Sequence, residues 1–132
     1  TASDIAAEQI RVTRQRHKEL TEMQRMVDEA ITILNGNGSL SAFGKLLHES
    51  WLLKKGLTDR ISTSLIDEIY DRARKSGSIG GKLLGAGGGG FLLLFVERDK
   101  QPKVKKALAD LLQVPFKFET YGSQIIFNEP SF

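Results

Sequence analysis

The 132-residue sequence contains no cysteine. That single absence removes disulfides, thiolate zinc sites and cysteine nucleophiles, and it fits a reducing cytoplasm. Long apolar runs are missing as well. The longest, Phe91 to Val96, falls far short of the roughly eighteen residues a membrane span needs. The opening residues TASDIAAEQIRV carry no basic-then-apolar signal pattern. Without an initiator Met, and starting inside a helical pattern, the chain reads as a piece of something longer. Nor is there a large charge of one sign: nineteen Lys and Arg face sixteen Asp and Glu, a net +3. A dedicated nucleic-acid binder carries more, so neither nucleic acid nor membrane is expected as a partner. What remains is an ordinary composition, 40% hydrophobic and 27% charged, at a length that suits one domain.

Apolar spacing predicts one long helix from about Ser3 to Asn35, carrying Leu20, Met23, Val27, Ala30, Ile31 and Leu34 and stopped by Asn35 to Ser39. Arg11, Arg14, Arg16, His17 and Lys18 make its first half a solvated basic face. A second helix is expected from Leu40 to Lys55, ending at Gly56, with Phe43, Leu46, Leu47 and Trp51 on one side. A third begins near the caps in Ser62 to Ser64 and stops at Gly77. Strand, glycine loop and strand follow, then a helix with Pro102 in its first turn and Val104, Ala107, Leu108 and Leu111 on one side. FKFET and SQIIF around Tyr121-Gly122 read as a closing hairpin. This order predicts an α+β domain, an antiparallel sheet of about four strands with helices packed on one face. Phe91 to Val96, apolar throughout, is expected to be a central strand buried on both sides.

The densest feature is GGKLLGAGGGGFLLLFV, Gly80 to Val96. Gly85-x-Gly87-x-x-Gly90 matches the dinucleotide fingerprint in letters, but that motif needs a helix after it, and here a strand follows. The P-loop spacing fails too: Ser76 stands five residues before Gly81-Lys82, and Leu83 occupies the hydroxyl position. A plain hairpin needs only one or two glycines. Each extra one costs about 0.5–1 kcal/mol relative to alanine in regular structure. Close approach of the backbone to a ligand or to another backbone, with bare N–H groups offered to an anion, is the reason that offsets such a cost.

The same stretch strongly resembles the C-terminal motif of the GHMP kinase superfamily. FGKLLHESWLLKKGL (Phe43 to Leu57), the segment from Ile61 to Phe91, and PFKFETYGSQIIF are similar to these enzymes in the same order. Within the superfamily, the bacterial sugar kinases acting on D-glycero-D-manno-heptose 7-phosphate are most similar. The resemblance covers essentially the whole chain. It implies a ferredoxin-like C-terminal domain, residues 1–132, of a cytoplasmic phosphotransferase that uses ATP and Mg, both bound mainly by an N-terminal domain that would be its partner. Lys82, Gly85, Ala86, Gly87, Gly88, Gly89 and Gly90 fall on the family's KLxGAGGGG positions, which implies a cofactor-binding role. No stretch matches the family's PxxxGLGSSAA phosphate loop, so no catalytic or metal-binding residue is assigned and the chain alone is expected to be inactive. A galactose, fucose or mevalonate-type acceptor, or a non-catalytic binding module on the same scaffold, stand as alternatives.

Other residues carry less. Lys82 reads equally as a phosphate-facing charge or a strand-edge lysine in solvent. His48 and Glu49 are adjacent on a helix and diverge by about 100°, too far to share a ligand. Trp51 extends the Phe43–Leu47 stripe and reads as core rather than a sugar platform. Asp67, Glu68 and Asp71 read as a solvated acidic face.

Overall fold

The computed structural model describes residues 1–12 and 16–125. In chain order these form α1 (Ala2–Val12), α2 (His17–Asn35), α3 (Ser41–Lys55), α4 (Ser64–Ser76), β1 (Ser78–Leu84), β2 (Phe91–Val96) and α5 (Gln101–Ala107). This is an α+β arrangement with its helices gathered against a small antiparallel sheet.

Local chemistry accounts for most boundaries. Thr63 caps α4, its hydroxyl accepting from the Ile66 N–H at 3.3 Å. Asp67 sits in the first turn, where a carboxylate suits the helix dipole, and Arg74 and Lys75 sit in the last. Asp67 is more than a solvated face: it accepts from Lys55 Nζ at 2.8 Å and Ser62 Oγ at 2.9 Å, tying α4 to the end of α3. Gly77 closes the helix at φ +122°, its N–H reaching back to the Arg74 carbonyl.

α3 lies directly on β1, and two glycines make that possible. A Cβ on Gly80 would overlap the Gly44 carbonyl oxygen. α2 runs along α3, while α4 touches both β1 and α5. The core gathers Trp51, Leu57, Ile61, Ile66, Tyr70 and Leu83, with Leu20, Met23, Leu92 and Leu94 packed around them. Trp51 is fully buried, as its stripe predicts.

Three expectations are corrected. The first helical stretch is two helices: Arg16 leaves helical geometry at φ −111°, ψ 32°, and α2 starts afresh at His17. Arg14 lies outside the described residues; Arg11, His17 and Lys18 are exposed, as a solvated face requires, with Arg11 paired to Glu8 and Arg16 to Glu19. The sheet has two strands among the described residues, not about four. Residues 116–120 form no strand, Phe118 is 92% exposed, and Ile126 and Phe127 of the expected hairpin lie outside the described residues. Consequently β2 is not a doubly buried central strand. It pairs only with β1, from Ser78 opposite Val96 to Leu84 opposite Phe91, with an irregularity between Ser78 and Gly80. With one neighbour instead of two, Leu92 to Val96 are half-buried and Phe91 is 63% exposed.

Candidate functional site

The loop Gly85–Gly90 joins the two strands, and four of its residues, Gly85, Gly87, Gly88 and Gly90, have positive φ. Much of the glycine requirement comes from within the chain. Gly87, at φ +123°, lies so close to Ile61 that a Cβ would sit 2.8 Å from the Ile61 Cα. The next N–H, of Gly88, donates to the Ile61 carbonyl at 3.0 Å. Ile5 of α1 covers the same residue, its Cδ1 lying 2.8 Å from where a Gly88 Cβ would be. The turn between α3 and α4 and the first helix therefore clasp the loop from two directions.

Two side chains hold its first carbonyls. Lys54 Nζ donates to the Gly85 oxygen at 3.0 Å, and Gln9 Nε2 to the Ala86 oxygen at 2.7 Å. Burial lowers the Lys54 pKa, and the nearby positive charge of Lys82 lowers it further. Two lysine cations thus stand near the loop and repel each other. At Gly85 and Gly89 the situation is opposite to that at Gly87: among the described residues no atom beyond the chain neighbours lies within 4 Å of an added Cβ. Gly89 also lacks a positive φ. These two positions are open to whatever approaches from outside.

A second constellation lies toward the start of β1. Tyr70 Oη and His48 Nδ1 are 2.8 Å apart, their rings stacked at 5.8 Å. The two groups form one hydrogen bond, and burial raises the Tyr70 pKa. Burial lowers the His48 pKa, with Arg74 and Lys55 adding to the effect against Glu49. Arg74 in turn donates to the Ser78 and Ile79 carbonyls. Lys45, His48, Glu49, Arg74 and Lys75 rim an open recess of about 580 Å³ there, separated from the glycine loop by the length of β1. Arg74 and Lys75 at this helix C-terminus meet a local dipole that favours cations, so the charge there is already accounted for.

The family described as GHMP kinases C terminal matches residues 26–113. The chain belongs to that family. As a GHMP kinase C-terminal domain it is 31% identical over 93 residues to the D-glycero-alpha-D-manno-heptose 7-phosphate kinase of Campylobacter jejuni, covering 69% of this chain and 27% of that protein. It is also 31% identical over 94 residues to the bifunctional fucokinase/GDP-fucose pyrophosphorylase of Arabidopsis thaliana, 70% of this chain and 8% of that one. Its fold matches that of L. major mevalonate kinase, solved with R-mevalonate, at a TM-score of 0.69 and 21% identity, over 83% of this chain and 34% of that one. The chain therefore spans about a quarter or less of these curated relatives' length.

Of the residues expected to bind cofactor, Gly85, Ala86, Gly87, Gly88, Gly89 and Gly90 form one loop, and Lys82 stands on β1 opposite Leu93, half-exposed, near Lys54. They are not equivalent. Gly88 has its N–H committed to Ile61, whereas Gly85 and Gly89 are open. Sequence reasoning missed Gln9, Lys54 and Ile61. Nothing near Gln9 or Ile61 marks them. Lys54 could have been suspected from its place in the last turn of the helix that leads to the loop's clasp. Among the described residues, no group of three or more His, Asp or Glu side chains could hold a metal, and no helix is long and apolar enough to cross a membrane.

Proposed function

We propose that this chain is the C-terminal part of an ATP-dependent kinase acting on a sugar or sugar phosphate, of which a heptose 7-phosphate is the leading candidate. In this reading the glycine loop closes the cleft over the ATP phosphates held by an N-terminal domain. One observation carries it: an open glycine surface beside the mutually repelling Lys54 and Lys82. A triphosphate brought there relieves that repulsion, and small residues let it come close. Phosphoryl transfer is achieved mainly by positioning and charge stabilisation, so a loop without side-chain chemistry can still contribute. Magnesium ligands and a catalytic carboxylate belong, on this reading, to the N-terminal domain, and the cytoplasm is the compartment where such an enzyme meets ATP.

The Campylobacter jejuni relative supports a heptose 7-phosphate acceptor by its name, and the fucokinase, equally 31% identical over a nearly equal share of this chain, supports a sugar acceptor as well. The test is an ATP-turnover assay on the longer polypeptide with D-glycero-D-manno-heptose 7-phosphate, fucose, galactose and mevalonate in parallel. Turnover with the heptose phosphate is expected. Turnover with mevalonate alone overturns the acceptor class. No turnover with any of them, in a folded protein that does not bind ATP, favours a binding module instead.

A further inference from the structure

Resting on the kinase reading above, we infer that Gln9 and Lys54 are positioning residues that select the loop amides offered to phosphate: those of Ala86 and Gly87, and not that of Gly88. A trans peptide unit is planar, and its C=O and N–H point in opposite directions. The Gly85 carbonyl shares such a unit with the Ala86 N–H, and the Ala86 carbonyl shares the next with the Gly87 N–H. Lys54 Nζ holds the first carbonyl at 3.0 Å and Gln9 Nε2 holds the second at 2.7 Å. The Ala86 N–H is therefore turned away from Lys54, and the Gly87 N–H away from Gln9.

Among the described residues neither N–H meets an acceptor, though Ala86 is half-buried and Gly87 buried, which leaves two donors short of a partner. The Gly88 N–H is committed to the Ile61 carbonyl at 3.0 Å. The sign of φ alternates here as well, positive at Gly85 and Gly87 with Ala86 between them. Alternation of that kind turns successive N–H groups into an anion-binding concavity. Gln9 comes from α1 and Lys54 from α3, so two distant segments fix the orientation of two consecutive peptide units. The loop's glycines supply the freedom to adopt either orientation; these side chains remove it.

The test uses the longer kinase polypeptide with selective ¹⁵N labelling of alanine and glycine, titrated with a non-hydrolysable ATP analogue and magnesium. The Ala86 and Gly87 amide resonances should move on binding, and Gly88 much less. Gln9→Glu keeps the shape but sets an acceptor against the Ala86 carbonyl; it should raise the KM for ATP about tenfold, with the melting temperature changed by only about 2 °C. Lys54→Met should act in the same direction, and Lys54→Arg, which keeps a donor, should restore the KM to within about twofold. A Gly88 shift larger than those of Ala86 and Gly87, or an unchanged KM in Gln9→Glu, overturns the assignment while leaving the kinase intact. A parent protein that neither binds the analogue nor turns over ATP overturns both readings together.

Discussion

Gly88 and Gly89 are neighbours in one loop and face opposite constraints. A side chain at Gly88 meets a backbone at φ +72° and the Ile5 methyl at 2.8 Å. Gly88→Val should therefore destabilise this chain by itself, on the order of 1–3 kcal/mol from strain and crowding. The close approach that the glycine pattern implies is thus made in part within this chain, to Ile61 and Ile5. Gly89→Ala meets no atom within 4 Å among the described residues beyond its chain neighbours and needs no left-handed backbone, so its stability in urea melts should hold or rise by up to about 1 kcal/mol through the unfolded chain. Equal losses in the two variants contradict this account of the loop. His48 gives a second check. Its pKa lies below 6.5 through burial first, then the Arg74 and Lys55 charges. Because the folded value is depressed, the stability it supports is complete above the unfolded pKa and is lost as pH falls through the folded one. An imidazole titration by NMR should give a midpoint below 6.5, and His48→Gln should flatten the fall in stability between about pH 7 and about pH 5. A midpoint at or above the ordinary value contradicts the burial.

The elements differ in how far local sequence determines them. α3, α4 and the two strands were legible because caps, stops and apolar spacing all agree with the final packing: Thr63 caps, Gly56 and Gly77 stop, and the Phe43–Trp51 stripe meets the core. The break between α1 and α2 was not legible. Helical spacing continues across it, and what holds α1 apart is contact with a loop some eighty residues later in the chain, through Ile5 and Gln9. The same limit applies to β2. Six apolar residues identify a strand, but burial on both sides needs a second neighbouring strand, which a hydropathy run cannot supply. Core substitutions should follow the packing rather than the hydropathy. Leu83→Ala, at a residue 3% exposed, should cost about 2–5 kcal/mol, and Leu93→Ala, half-buried opposite Lys82, clearly less. Denaturant melts of both variants check this, and a larger loss at Leu93 contradicts the edge position of β2.

At the scale of the molecule, the glycine-loop site was legible as a stretch and only in part as a mechanism. Its glycines marked the place, while the side chains that orient it come from α1 and α3, outside any motif. The loop is held from behind by Ile61, Ile5, Gln9 and Lys54 and left open at Gly85 and Gly89, beside the like charges of Lys54 and Lys82. On the proposed kinase reading such a surface is half of a site, and the chain by itself should show no ATP turnover. The most direct test of that claim places a side chain on the open half alone. Gly89→Leu in the longer polypeptide should leave the melting temperature nearly unchanged, because among the described residues no atom beyond the chain neighbours lies within 4 Å of the added Cβ. It should lower kcat/KM for ATP by about tenfold or more, since misplacing reactants by an ångström can cost about a hundredfold. If Gly89→Leu melts like the parent and turns over ATP at the parent's rate, the loop does not face the nucleotide.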